Sequence, residues 1–198
     1  MKKTILAALL FIASLKAFCG IVDHDRMYQA YLSNDMSVWK TELQKYTTST
    51  DLTITDKLEI SNYLYGYIAT LLTDADKNKQ EIIGWIELWE KYLEEIEKTT
   101  GKNAYVHVYR SSINAYKSKV KAGGMMVWGP RSLTELKRAL NIDPNNPLAN
   151  GLKGNMLFYM PGFVGGDKEE SIKWFEKALA GVAASTDKTF RWNRCAIT

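Results

Sequence analysis

Between Gln80 and Lys98, the residues Ile82, Ile86, Trp89, Leu93 and Ile96 follow one another at steps of four, three, four and three. That is the period of an α-helix with one buried stripe. Trp85, Leu88 and Tyr92 lay a second stripe beside the first. So wide an apolar arc suits a helix with neighbours on two sides. Asn78, with Glu81 three residues on, forms a cap-like pair at its start. Gly101 follows its last turn, where a residue of positive φ closes a helix cheaply. Similar periodicity recurs along the chain, and no stretch shows the sustained alternation of a strand. The expected fold class is all-α.

The same reading gives a series of helices. A short one runs from about Asp25 to Ser33, and a second begins after Asn34 and carries Met36, Trp39, Leu43 and Tyr46. Thr47 to Thr53 is a polar, β-branched break. A third helix starts at Asp56 with Glu59 as its partner, the fourth is the one above, and a fifth covers about Lys102 to Lys121. A sixth begins at Ser132 with Glu135 as its capping pair. A seventh has Asn146 as cap and Pro147 in its first turn, where proline is tolerated. The eighth is capped by Asp167 with Glu170 and places Ile172, Phe175, Leu179 and Val182 on one face.

The first twenty residues read as an export signal. Met1-Lys2-Lys3 is basic, Ile5 to Leu15 is apolar, and Ala17 to Gly20 ends in small residues. The apolar run is shorter than the ~20 residues that span a bilayer. Cleavage there predicts a periplasmic or secreted protein of 178 residues, 20 fewer than the 198 given. It also removes Lys2, Lys3 and Lys16, taking the formal charge from +4 down by three to +1. A near-neutral chain lacks the basic stripe of a nucleic-acid binder. Cys19 is a poor lipid-anchor site, because the bulky Phe18 precedes it. Cys195 alone makes no disulfide framework.

The second half of the chain repeats itself. Ser132–Pro144 reads SLTELKRALNIDP and Ser171–Leu179 reads SIKWFEKAL. Both place Ser, a large apolar residue four on (Leu136, Phe175) and Ala three further (Ala139, Ala178). This resembles the second helix of a tetratricopeptide (TPR) repeat. Ala139 to Pro147 looks like the linker between such repeats, and Gly154 stands where the first helix of a repeat carries its small contact residue. The resemblance covers roughly residues 132–180. From Gly154 to Ser171 is 17 residues, against about 12 in the consensus. It implies a helical-hairpin solenoid of about four pairs in a right-handed superhelical stack. Residues 21–55 would be degenerate or capping helices, and 56–198 the repeats. The segment 187–198 reads as the opening turns of a further helix, either cut short or completed by a partner.

Two glycine-rich stretches depart from that pattern, Ala122–Pro130 and Met160–Asp167. Each is expected to be an expanded turn inside a helix pair. Turns of this kind emerge on one edge of a solenoid, with neighbouring helices about 8–10 Å apart. Trp128, Phe163, Met125, Met126 and Val164 would then form a partner-binding edge, with Trp128 and Phe163 as aromatic anchors. The competing reading folds these side chains back over the helix ends. The Pro161-x-x-x-Gly165-Gly166-Asp167 pattern is also similar to one in the T-component proteins of TRAP solute transporters.

No catalytic residue, metal site or cofactor is assigned. His24, between Asp23 and Asp25, reads as part of a solvated start, and His107 as a packed helical histidine. Neither belongs to a ligand cluster. Gly123-Gly124 and Gly165-Gly166 lack the phosphate-loop pattern. Glu94, Glu95 and Glu97, interleaved with Lys91 and Lys98, read as an ion-paired helix face. The expected function is a non-enzymatic exported scaffold that holds a protein or peptide partner. The alternative is a small-ligand-binding component that serves a solute transporter.

Overall fold

The computed structural model describes residues 21–197, so the expected signal segment and Cys19 lie outside the described residues. Every regular element among those residues is helical. The order is α1 (His24–Leu32), α2 (Met36–Gln44), α3 (Ile54–Leu71), α4 (Ala75–Thr100), α5 (Ala104–Val120), α6 (Gly124–Ile142), α7 (Pro147–Tyr159), α8 (Lys168–Ala184) and α9 (Arg191–Ile197). Short 3-10 turns occupy Leu72–Asp74, Gly162–Val164 and Lys188–Phe190.

Side chains set most of the boundaries by taking up backbone N–H groups that a helix start leaves unpaired. Asn146 accepts from Ala149 N and Asp167 accepts from Glu170 N, as the sequence suggests. Three other starts differ. The start of α3 moves back because Thr53 is the cap and Asp56 its reciprocal partner in a capping box. Asn78 lies inside α4 and donates to Leu71 O, which ties α4 to the helix before it. The third difference matters most for function. Residues 124–131 are the first turns of α6 rather than a loop, and Pro130 sits inside that helix. Ser132 does not cap; it exchanges bonds with α5, Ser111 Oγ donating to Ser132 O and Ser132 Oγ to Ser111 O. The Glu135 carboxylate is taken by His107 and Arg138.

Short turns join α3 to α4 and α5 to α6, and a longer one joins α7 to α8, so each pair packs side by side. Contacts also run from α3 to α5 and from α5 to α7. The N-terminal half carries the heavy core, with Trp39, Tyr63, Trp89 and Tyr109 all fully buried. Trp39 Nε1 donates to Met27 O at 2.7 Å, which satisfies its polar edge. The C-terminal half is thinner. Of the 19 residues of α6, only Leu136 and Ala139 are buried. The segment read as the start of a further helix is taken up by the chain itself: α9 packs on α8 and returns to α1.

Candidate functional site

The thin packing of α6 leaves a cleft of about 570 Å³. Ser111, Ser112 and Ala115 of α5 contribute its floor. Met125, Gly129, Pro130 and Leu133 of α6 form one wall, and Leu152, Met156 and Tyr159 of α7 the other. Met160, Pro161 and Val164 of the following turn close that side. The size falls within the roughly 300–1,000 Å³ of small-molecule pockets. Its polar groups are few and mostly spent within the protein. Ser111 and Ser132 bond each other's carbonyls, and Ser112 Oγ donates to Val108 O. The surface offered to a ligand is therefore mostly hydrocarbon and thioether, with the Asn155 amide and the Tyr159 phenol as the polar groups that remain.

The five expected edge residues divide into three kinds. Met125 and Val164 line this cleft, from α6 and from the α7–α8 turn, so the structure does bring the two glycine-rich stretches together. Met126 and Phe163 do not line it and stand 91% and 90% exposed. Trp128 folds back, as the competing reading had it. Its Nε1 donates to Ala122 O at 3.0 Å, and Lys117 Nζ and Arg131 Cζ lie 5.1 and 4.8 Å from its ring centre. It is half-buried and already engaged by α5, by the α5–α6 turn and by Arg131 of its own helix.

Met156, Tyr159 and Met160 were missed as site residues. Met156 and Met160 stand one turn apart, and helical spacing puts such a pair on one face, but sequence alone cannot say that this face looks into a cleft rather than into the core.

The histidines lie elsewhere. His24 is not solvated: its Nδ1 is 2.7 Å from Tyr63 Oη and its Nε2 is 2.9 Å from Glu59 Oε1. His107 Nδ1 lies 2.6 Å from Glu135 Oε2. Among the described residues, no three His, Cys, Asp or Glu side chains gather as a metal-binding group. The acidic stretch of α4 is ion-paired across helices rather than along its own. Glu95 meets Lys57 at 2.6 Å and Glu97 meets Arg110 at 2.8 Å. The hydrogen bond from Arg110 holds the Glu97 carboxyl below its ordinary value against partial burial.

The described helices thus leave an open, apolar cleft of small-molecule size between α5, α6 and α7. The chain is similar in structure to the HusA haemophore from Porphyromonas gingivalis, with a TM-score of 0.65 over 90% of each chain and 18% sequence identity. Identity that low speaks for the fold alone. No protein-family model matches the chain, and the comparison with curated proteins gave no match. No described helix is long and apolar enough to cross a membrane.

Proposed function

We propose that this protein is an exported binding protein that carries a flat, apolar ligand of tetrapyrrole size in the α5–α6–α7 cleft. The observation that carries the proposal is the cleft itself, with its size, its methionine-rich walls and the serines of its floor and wall bonded within the protein. Burying a flat apolar molecule there gains about 25 cal/mol per Å² removed from water. The fold it shares with a haemophore supports haem as the ligand class. The signal-like first twenty residues support export. Within this reading the helix pairs form a TPR-like right-handed stack, supported by the α3–α5 and α5–α7 contacts between first helices of successive pairs. Capture, rather than chemistry, is the task.

The test is an absorbance titration of the protein with haemin and with metal-free protoporphyrin. Saturable one-to-one binding is expected. Leu133→Arg places a charge on an apolar wall at a partly exposed position, where it carries a desolvation cost when a ligand covers it. It should weaken binding at least about tenfold, which is 1.4 kcal/mol, with little change in melting temperature. Failure of the protein to bind either compound, or equal binding by the variant, contradicts the proposal.

A second reading concerns a protein partner, and the exposure of Met126 and Phe163 favours it. A peptide on the α3–α5 face is disfavoured, because α9 and the 3-10 turn before it already cover it: Trp192 packs on Tyr65 and Phe190 stacks on Tyr105. A partner would instead meet the exposed α6 start and the α7–α8 turn. Changing Met126 and Phe163 to Ser should then abolish partner capture and leave porphyrin binding unchanged.

A further inference from the structure

If a tetrapyrrole lies in the cleft, its central metal faces a short choice of donors. The side chains of the lining that offer a good metal-ligand atom are the thioethers of Met125, Met156 and Met160 and the phenol of Tyr159. Both histidines are engaged outside it, His24 with Glu59 and Tyr63, His107 with Glu135. Cys195 lies beside Tyr28, on the α1 side of the molecule.

Three of the seven methionines therefore line one cleft, where leucine would have supplied the same apolar volume. Met156 comes from α7 and Met160 caps its C-terminal end, its N–H donating to Met156 O at 3.0 Å, and Met125 comes from α6. Met125 lies along Gly129 of the next turn, its Sδ 2.8 Å from where a Cβ at position 129 would stand. A thioether is neutral, so it enters an apolar site without the desolvation cost of a phenolate. It is also a soft donor, and methionine is an established axial ligand of haem iron. Ferrous iron is the softer oxidation state.

Resting on the cleft reading above, we infer that methionine thioethers of this cleft ligate the metal of the bound tetrapyrrole, and that the protein favours ferrous haem over the metal-free ring. The apolar walls bind the ring; the thioethers distinguish what is at its centre.

The experiment compares metal-free protoporphyrin with ferrous haem under anaerobic, reducing conditions. The protein carries either its own residues or Met125→Leu, Met156→Leu and Met160→Leu together. Ferrous haem should bind the unaltered protein at least about tenfold more tightly than the metal-free ring. In the triple variant the ratio should fall to within about twofold, because any change in how the walls hold the ring is common to both ligands and cancels in the ratio. An iron-edge X-ray absorption spectrum of the ferrous complex made with selenomethionine protein should show selenium at bonding distance, a readout that needs no variant. If the metal-free ring binds but the ferrous preference is missing, survives in the triple variant or gives no selenium neighbour, the thioether assignment is overturned and the cleft reading stands. A ferric preference lost in Tyr159→Phe overturns it in favour of the phenol. If neither ring binds, both fall.

Discussion

The indole of Trp192, on the last helix, meets the indole of Trp39, on the second, edge to face at 5.2 Å and 80°. Both are buried, and Tyr31, Tyr63 and Tyr65 pack around them. The close approach depends on Gly66 of α3. A Cβ at that position would stand 2.6 Å from Trp192 Cη2 and 2.7 Å from Trp39 Cζ3. Asn62, one turn earlier on α3, donates to Thr189 O and Asn193 Oδ1 at 2.7 and 2.8 Å. The end of the chain is thus keyed into its beginning by an aromatic lock beside a buried amide.

Gly66→Ala should therefore destabilise the fold by about 1–3 kcal/mol through overpacking. Trp192→Ala should cost about 3–5 kcal/mol through the cavity it leaves. Urea denaturation measures both. A Gly66→Ala protein as stable as the parent would mean that α9 does not pack here.

Glu81 of α4 is a second tie between helices. Lys40 Nζ of α2 and Tyr67 Oη of α3 reach its carboxylate at 2.9 and 2.8 Å, and Trp85 Nε1 of α4 at 3.2 Å. Burial pushes this carboxyl up, but the hydrogen bonds from Lys40, Tyr67 and Trp85 and the lysine charge outweigh it, and the net shift is downward from the ordinary 4.5. A carboxyl lowered by folding stabilises the protein fully above its unfolded value and loses that contribution as pH falls through the folded one. Glu81→Gln should cost about 1–2 kcal/mol at pH 7. The gap between variant and parent should close as pH drops from 5 toward 3. A gap that stays constant across that range would contradict the ionic account.

Pro130 interrupts the hydrogen bonding of α6, because its nitrogen cannot donate to Met126 O one turn back. An interior proline costs about 3 kcal/mol relative to alanine, offset in part by a stiffer unfolded chain. Pro130→Ala should stabilise by about 1–2 kcal/mol and raise the melting temperature by several degrees. A fall in melting temperature would show that the ring's packing at the cleft outweighs the missing bond.

Much of the helical framework was legible in the sequence, because its signals are local. The stripe Ile82–Ile96, the Asn146 and Asp167 caps and the closing Gly101 each need only neighbouring residues to be recognised. The small residue at Gly154 was legible too, and its partner is Phe175: a Cβ there would stand 2.7 Å from the ring. What failed was punctuation decided by distant groups. Gly129-Pro130 reads as a break, yet α6 runs through it, anchored by Trp128 on Ala122 O and by Ser132 on α5. His24 reads as solvated because Glu59 and Tyr63 lie 35 and 39 positions away. The cleft was only half legible. Met125 and Val164 were named from the glycines around them, as part of a partner-binding edge and not of a cleft, whereas Met156 and Met160 sit in an ordinary amphipathic pattern. Trp128 looked like an anchor because sequence does not show that its ring is held between Lys117 and Arg131.

The most direct test of the cleft as the ligand site is a titration of protein labelled at the methionine methyls with metal-free protoporphyrin, followed by NMR. Ring currents in the bound macrocycle report which methyls lie against it. The account predicts large shifts at Met125, Met156 and Met160, with Met27, fully buried in the N-terminal core, and Met36 unmoved. Shifts at Met27 or Met36 with the cleft methionines silent, or no shift at saturating ligand, would contradict it.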